Sequence, residues 1–185
     1  MLTRRSRSLP SVAGRRTGAA LFTSGVSFMI IHHPSDYQPL AHRVFDEVRA
    51  ALQRFLPTAR IEHVGSSSVP GALSKGDLDI CVSVPAIEFE ATLEKLQALG
   101  YTVKGDTLRT EQLCMLEAPR KDISLAIQLI EKDSEFEFFH KFRDALLANP
   151  TLVDRYNEMK LKFSPQGPQT YRDEKAKFIR SVLEA

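Results

Sequence analysis

The stretch that most constrains this chain lies between residues 61 and 82. It reads Ile61-Glu62-His63-Val64-Gly65-Ser66-Ser67-Ser68-Val69-Pro70-Gly71, then Ala72-Leu73-Ser74-Lys75-Gly76, then Asp77-Leu78-Asp79-Ile80-Cys81-Val82. An apolar-flanked strand ends at Gly65-Ser66, a loop of small residues follows, and a second strand opens on two acids. Alternate residues of a strand share a face, so Asp77 and Asp79 are expected to project from the same side. Two carboxylates at that spacing repel each other, and a hard divalent cation removes the penalty. Glycine lets the backbone approach a ligand closely, and a run of hydroxyls and free N–H groups can hold phosphate oxygens. Each half alone is common at turns and strand ends. In this order, between two expected strands, they mark a site for phosphoryl or nucleotidyl transfer. The expected metal ligands are Asp77 and Asp79, with Mg²⁺ as the cation. The expected phosphate contacts are Gly65, Ser66 and, with an ordinary Ser-rich turn as the alternative, Ser67. His63, two residues before the glycine, faces either this site or the core.

Composition narrows the partners. The 185 residues suffice for one domain with a proper core plus a tail. Residues 1–28 hold Arg4, Arg5, Arg7, Arg15 and Arg16 and no acid. Taking those five from 25 basic residues leaves 20 against 23 acidic, about −3 for the remainder. A mildly acidic folded part argues against a general nucleic-acid binder. Cys81 and Cys114 each lie in an apolar run, as buried free thiols of a reducing compartment do. No apolar run approaches the length that crosses a bilayer. The first 28 residues are expected to be a disordered basic tail. Their composition resembles an organelle transit peptide, and it also fits an upstream start codon assigned in error. The expected location is cytoplasmic, or mitochondrial if the tail is a transit peptide. The oligomeric state is left open.

Taken in order, Leu40, Val44, Val48, Leu52 and Phe55 predict an amphipathic helix over about 38–56, capped by Ser35 or Asp36. After the two strands, Phe89, Leu93, Leu96 and Leu99 predict a helix stopped by Gly100. Short strands are expected at 101–103 and 113–116, the latter paired as a hairpin with 123–130. Ser134 and Glu137 have capping-box spacing before a helix to about Ala148. A further helix follows Asn149-Pro150. The last, capped by Thr170 and Asp173, is expected to bury Tyr171, Phe178, Ile179 and Val182. The fold class is therefore α/β (α+β): a small mixed sheet with packed helices and a helical C-terminal third.

Gly65-Ser66 followed by Asp77-Leu78-Asp79-Ile80 resembles the signature of the nucleotidyltransferase superfamily. More narrowly, the segment from Ile61 to Gly71 resembles the hallmark of the GrpB family. Phe142-Arg143-Asp144-Ala145-Leu146, Pro150, Tyr156, Lys160, Tyr171, Lys175, Phe178 and Ile179 resemble GrpB positions in the same order. The resemblance runs from about residue 30 to the end. It implies a nucleotidyltransferase-like fold, with a third carboxylate supplied by a later strand. The strand in that place carries Ser124, Ala126, Gln128 and Ile130 on one face, none acidic, where GrpB relatives often show histidines. Gln128 can orient a ligand but cannot act as a base at neutral pH. Asp122 or Glu131 are the acids nearest to that role in sequence. Arg143, Lys160 and Lys175 would bring positive charge to a triphosphate, although each lysine alone also reads as a side chain snorkelling from its helix.

The expected function is nucleotidyl transfer from an NTP to a small-molecule acceptor with Mg²⁺. The alternatives are an inactive nucleotide- or phosphometabolite-binding module, and an accessory domain acting through protein contacts. The last is suggested by the resemblance of GrpB-like segments to extensions fused to dephospho-CoA kinases.

Overall fold

The computed structural model describes residues 29–185; the expectations for residues 1–28 lie outside them. Helix α1 (Pro34–Phe55) is followed by β1 (Arg60–Val64), β2 (Leu78–Val84), α2 (Phe89–Ala98), β3 (Thr102–Val103), β4 (Leu113–Glu117) and β5 (Leu125–Glu131). Three helices complete the chain: α3 (Phe138–Ala148), α4 (Pro150–Phe163) and α5 (Pro168–Leu183). This is the expected mixed sheet with packed helices and a helical C-terminal third.

The five strands lie in the order β1-β2-β5-β4-β3. The central pair, β2 and β5, is parallel, while β1–β2, β5–β4 and β4–β3 are antiparallel. Alternation gives the sheet two distinct faces. Ile61, Leu78, Ile80, Val82, Leu125, Ile127 and Leu129 face α1 and α2 in the main core, with Val44, Val48, Leu52, Leu93 and Leu96. The other face carries Val64, Cys81, Leu113 and Ile130 against Phe136, with Phe138 and Phe139 partly buried beside them. A third cluster knits α3, α4 and α5 to Val69 and Ala72 of the loop after β1.

Several boundaries differ from expectation for local reasons. Helix α1 starts at Pro34, whose missing N–H costs nothing in the first turn, and His33 is the cap: its Nδ1 accepts from the Ser35 N–H at 3.4 Å. Phe55 and Leu99, expected on apolar stripes, are exposed, Phe55 as the last residue of α1 and Leu99 as the cap that follows α2. Ser134 does cap, accepting from the Phe136 N–H at 3.3 Å. The capping-box role read for Glu137 is not what it takes up in its side-chain contacts: Oε2 bonds His140 Nδ1 at 2.7 Å, and Oε1 accepts from Ser83 at 3.3 Å. Helix α5 starts at Pro168 after Gly167 without a side-chain cap, so Thr170 and Asp173 lie inside it. Tyr171 is buried, while Phe178, Ile179 and Val182 are half-buried. No helix among the described residues is long and apolar enough to cross a membrane.

Candidate functional site: an acidic pair against a glycine-serine turn

The turn after β1 brings the two halves of the motif together. Val64 and Asp79 are directly paired across β1 and β2. The next residue, Gly65, has φ 72° and ψ −170°, a region that residues with a Cβ avoid. A Cβ there would also collide with Asp79 Oδ2 and sit 3.0 Å from the Asp79 Cβ. Glycine is required at this point both by its dihedrals and by the acid packed against it.

Ser66–Ser68 form a single 3₁₀ turn. The loop behind it is clamped from two helices. From α1, Tyr37 Oη donates to Ala72 O at 2.6 Å and Gln38 Nε2 to Val69 O at 2.6 Å. From α4, Asn157 Nδ2 donates to Gly71 O at 2.9 Å, and its Oδ1 accepts from the Leu73 N–H at 2.8 Å. Lys160, fully buried, donates from Nζ to Ser66 Oγ at 2.8 Å and to the Leu73 carbonyl, and lies 3.7 Å over the Tyr156 ring. Burial, reinforced by the charge of Lys175, pulls its pKa well below that of an ordinary lysine.

The charge of Asp77 bears on Asp79, although Asp77 sits one residue before the start of β2 and so outside the strand in which both were expected. Ser74 Oγ donates to Asp77 Oδ1 at 3.0 Å, and Lys75 Nζ lies 3.2 Å from Oδ2. Burial works against ionising Asp77, but the charges of Lys75 and Lys175 outweigh it and hold its carboxyl below the usual range. Asp79 goes the other way: burial, then the Asp77 charge, lift its pKa to about 6. Gln128 lies on the same face of β5, and its Nε2 donates to Asp79 Oδ1 at 3.0 Å. Lys175 reaches this point from α5 and, with Asp79, Gly65 and Gln128, lines a cavity of about 150 Å³.

Of the residues singled out in the sequence, Gly65, Ser66, Asp77, Asp79, Gln128, Lys160 and Lys175 thus converge. His63 and Arg143 do not join them. His63 pairs with Ile80 across the strands and so faces α1, where its ring stacks on Phe45 at 4.9 Å. Burial, then His42 and Arg143, press its pKa down to about 4. Ser67 is fully buried with its Oγ 2.9 Å from His63 Nε2. Arg143 donates to the His63 carbonyl at 3.0 Å and lies 2.7 Å from Glu62 Oε2. His63 and Arg143 line a separate cleft of about 550 Å³ between α1 and α3 along β1.

Neither stand-in for a third carboxylate comes near. Asp122 is tied to Arg120 by two hydrogen bonds, at 2.9 and 2.7 Å. Glu131 pairs with Val84, five positions along β2 from Asp79. The sequence reading missed the loop clamps Tyr37, Gln38 and Asn157. Phe138, Phe139 and Phe142 of α3, which line the cavity beside Asp79, were likewise not singled out for the site.

Among the described residues no group of three or more His, Cys, Asp and Glu side chains is placed to hold a metal. The two carboxylates nonetheless suit one kind of cation. A repelling acidic pair, one member driven towards protonation, fits Mg²⁺, which is bound through one or two carboxylates and completed by waters and phosphate oxygens.

The fold and site define an α/β protein with an acidic pair set against a glycine-serine turn. The chain belongs to the GrpB protein family, whose model matches residues 32–185. It is 43% identical over 155 residues to a UPF0157 protein of Vibrio cholerae, covering 84% of this chain and 82% of that one. The crystal structure of the conserved protein GrpB from Enterococcus faecalis superposes with TM-score 0.67 at 23% identity, covering 84% of this chain and 98% of that one. A structure of the Cid1 poly(U) polymerase bound to MgATP gives TM-score 0.47 at 20% identity, over 67% of this chain and 40% of that one.

Proposed function

We propose that this chain transfers a nucleotidyl group from an NTP to a small-molecule acceptor, with Mg²⁺ held by Asp77 and Asp79. The observation that carries the reading is the contact between Gly65 and Asp79, which leaves no room for a side chain. An acid and a glycine-serine turn are pressed together and clamped there by α1 and α4, an arrangement that suits a shared ligand. The bound cation would offset charge on the phosphates and favour displacement at the α-phosphorus. The turn at Gly65-Ser66 offers backbone N–H groups and the Ser66 hydroxyl to phosphate oxygens. Lys160 fixes that hydroxyl, and Lys175 brings a positive charge to the same place. The acceptor oxygen forms its bond to the α-phosphorus as pyrophosphate leaves, and the acceptor proton passes to solvent. Gln128, a neutral amide, orients Asp79 and takes no proton.

The decisive measurement is a thermal-shift screen of nucleotides with and without Mg²⁺ on the wild type and Asp79→Asn, followed by a pyrophosphate-release assay. Bound ligand raises apparent stability by mass action. A Mg²⁺-dependent shift lost in Asp79→Asn is expected, and its absence in the wild type overturns the reading. Gln128 in the place of a third acid favours one other reading, a binding module without turnover. In that case nucleotides bind with Mg²⁺ and no pyrophosphate appears across a broad acceptor panel.

A further inference from the structure

Behind Asp79, between the sheet and the C-terminal helices, the 150 Å³ cavity is walled by Phe138, Phe139, Phe142, Tyr156 and Ile179. The wall is braced: Phe142 meets Tyr156 edge-on at 5.3 Å, and Phe178 stacks on Tyr156 at 5.2 Å. A space of this size, walled on one side by aromatic rings, holds a single six-membered ring. Its polar lining is Asp79, Lys175 and Gln128, the last only 2% exposed. The amide nitrogen of Gln128 donates to Asp79, and its Oε1 has no hydrogen-bond partner. A buried acceptor left unpaired carries a penalty that a bound donor relieves. Nothing in the proposed handling of phosphates uses either the aromatic wall or this oxygen.

The geometry points to this cavity as the acceptor subsite: it takes one aromatic or heteroaromatic ring bearing an O–H or N–H group, which donates to Gln128 Oε1. The word acceptor rests on the nucleotidyl-transfer reading, whereas binding of the ring does not. The same geometry explains how a site without a third acid selects its partner. The amide recognises the donor group, the walls recognise the flat ring, and Asp79 lies beside both.

The test uses the full chain without nucleotide or metal and two probes matched in size, phenol and toluene. A purely apolar cavity favours toluene, because phenol must shed the water around its hydroxyl. A cavity holding an unpaired acceptor reverses that order. Ligand-observed NMR titrations are expected to show phenol binding at least fivefold more tightly than toluene. Gln128→Leu should invert the preference, and Ile179→Trp, which fills the space, should abolish binding of both; Phe139→Trp serves if that variant does not fold. Equal or tighter toluene binding in the wild type, no binding of either probe, or indifference of phenol to Gln128→Leu would each overturn the inference. Nucleotides with Mg²⁺ are screened separately. A metal-dependent nucleotide shift without phenol binding removes the subsite alone. Phenol binding without any nucleotide shift supports the ring site and removes its assignment to an acceptor.

Discussion

Gly65→Ala tests the central contact most directly, because a matched control lies six residues away. At Gly65 the backbone has φ 72° and ψ −170°, and holding a residue with a Cβ there costs about 1–3 kcal/mol. The new methyl would also overlap the Asp79 carboxylate and lie 3.1 Å from its Cγ, so Asp79 must move. Overpacking of that kind adds about 1–3 kcal/mol. The sum, about 2–6 kcal/mol, corresponds to a fall in Tm of roughly 4–24 °C for a chain of this length. Gly71 has a similar φ of 76°, but a Cβ there meets nothing within 4 Å. Gly71→Ala therefore carries backbone strain alone, about 1–2 kcal/mol. Urea denaturation gives both stabilities, and the thermal-shift screen reports Mg²⁺-dependent nucleotide binding. The expected result is that Gly65→Ala is the less stable by at least 1 kcal/mol and loses the nucleotide shift, while Gly71→Ala keeps it. Equal stabilities, with the shift intact in both, would refute the claim that turn and acid are built against each other.

Other outcomes follow from the same geometry. The Asp79 carboxyl titrates near 3.8 when unfolded and about 6 when folded, so the folded state binds the extra proton and its contribution to stability is lost as pH rises through 6. Asp79→Asn should accordingly gain in Tm relative to wild type between pH 4 and pH 7, and parallel Tm–pH curves would contradict the assignment. Lys160→Met should destabilise by about 1–3 kcal/mol in urea, because the Leu73 carbonyl and Ser66 hydroxyl lose their donor, and should weaken any nucleotide shift. His63→Phe and Arg143→Met alter the separate cleft beside β1, so both should keep a Mg²⁺-dependent nucleotide shift; its loss in either would show that the two clefts act as one.

Much of this protein could be read from local patterns. The alternation in Ile61–Val64 and Leu78–Val84, the spacing of Val44, Val48 and Leu52, and the stop at Asn149-Pro150 are short-range signals that need no tertiary contact. The approach of Gly65-Ser66 to the acids was legible because the turn ends one strand and the acids open the next, although thirteen residues separate β1 from β2. Lys160 and Lys175 were visible as lysines one turn after a tyrosine, yet their positions in sequence say nothing of what they meet.

The amino-acid order alone determined the elements, the acidic pair and the family resemblance, since each is carried by residue types and their spacing along the chain and needs no contact between distant side chains. Only the folded chain decided which face each strand turned inward. One residue of register carried His63 to α1 and left Val64 and Asp79 on the other side of the sheet. Packing across some ninety residues likewise decided that Lys160 holds Ser66, and that three C-terminal helices wall a cavity around Gln128. Burial and the meeting of distant side chains are properties of the whole core, and no window of sequence contains them.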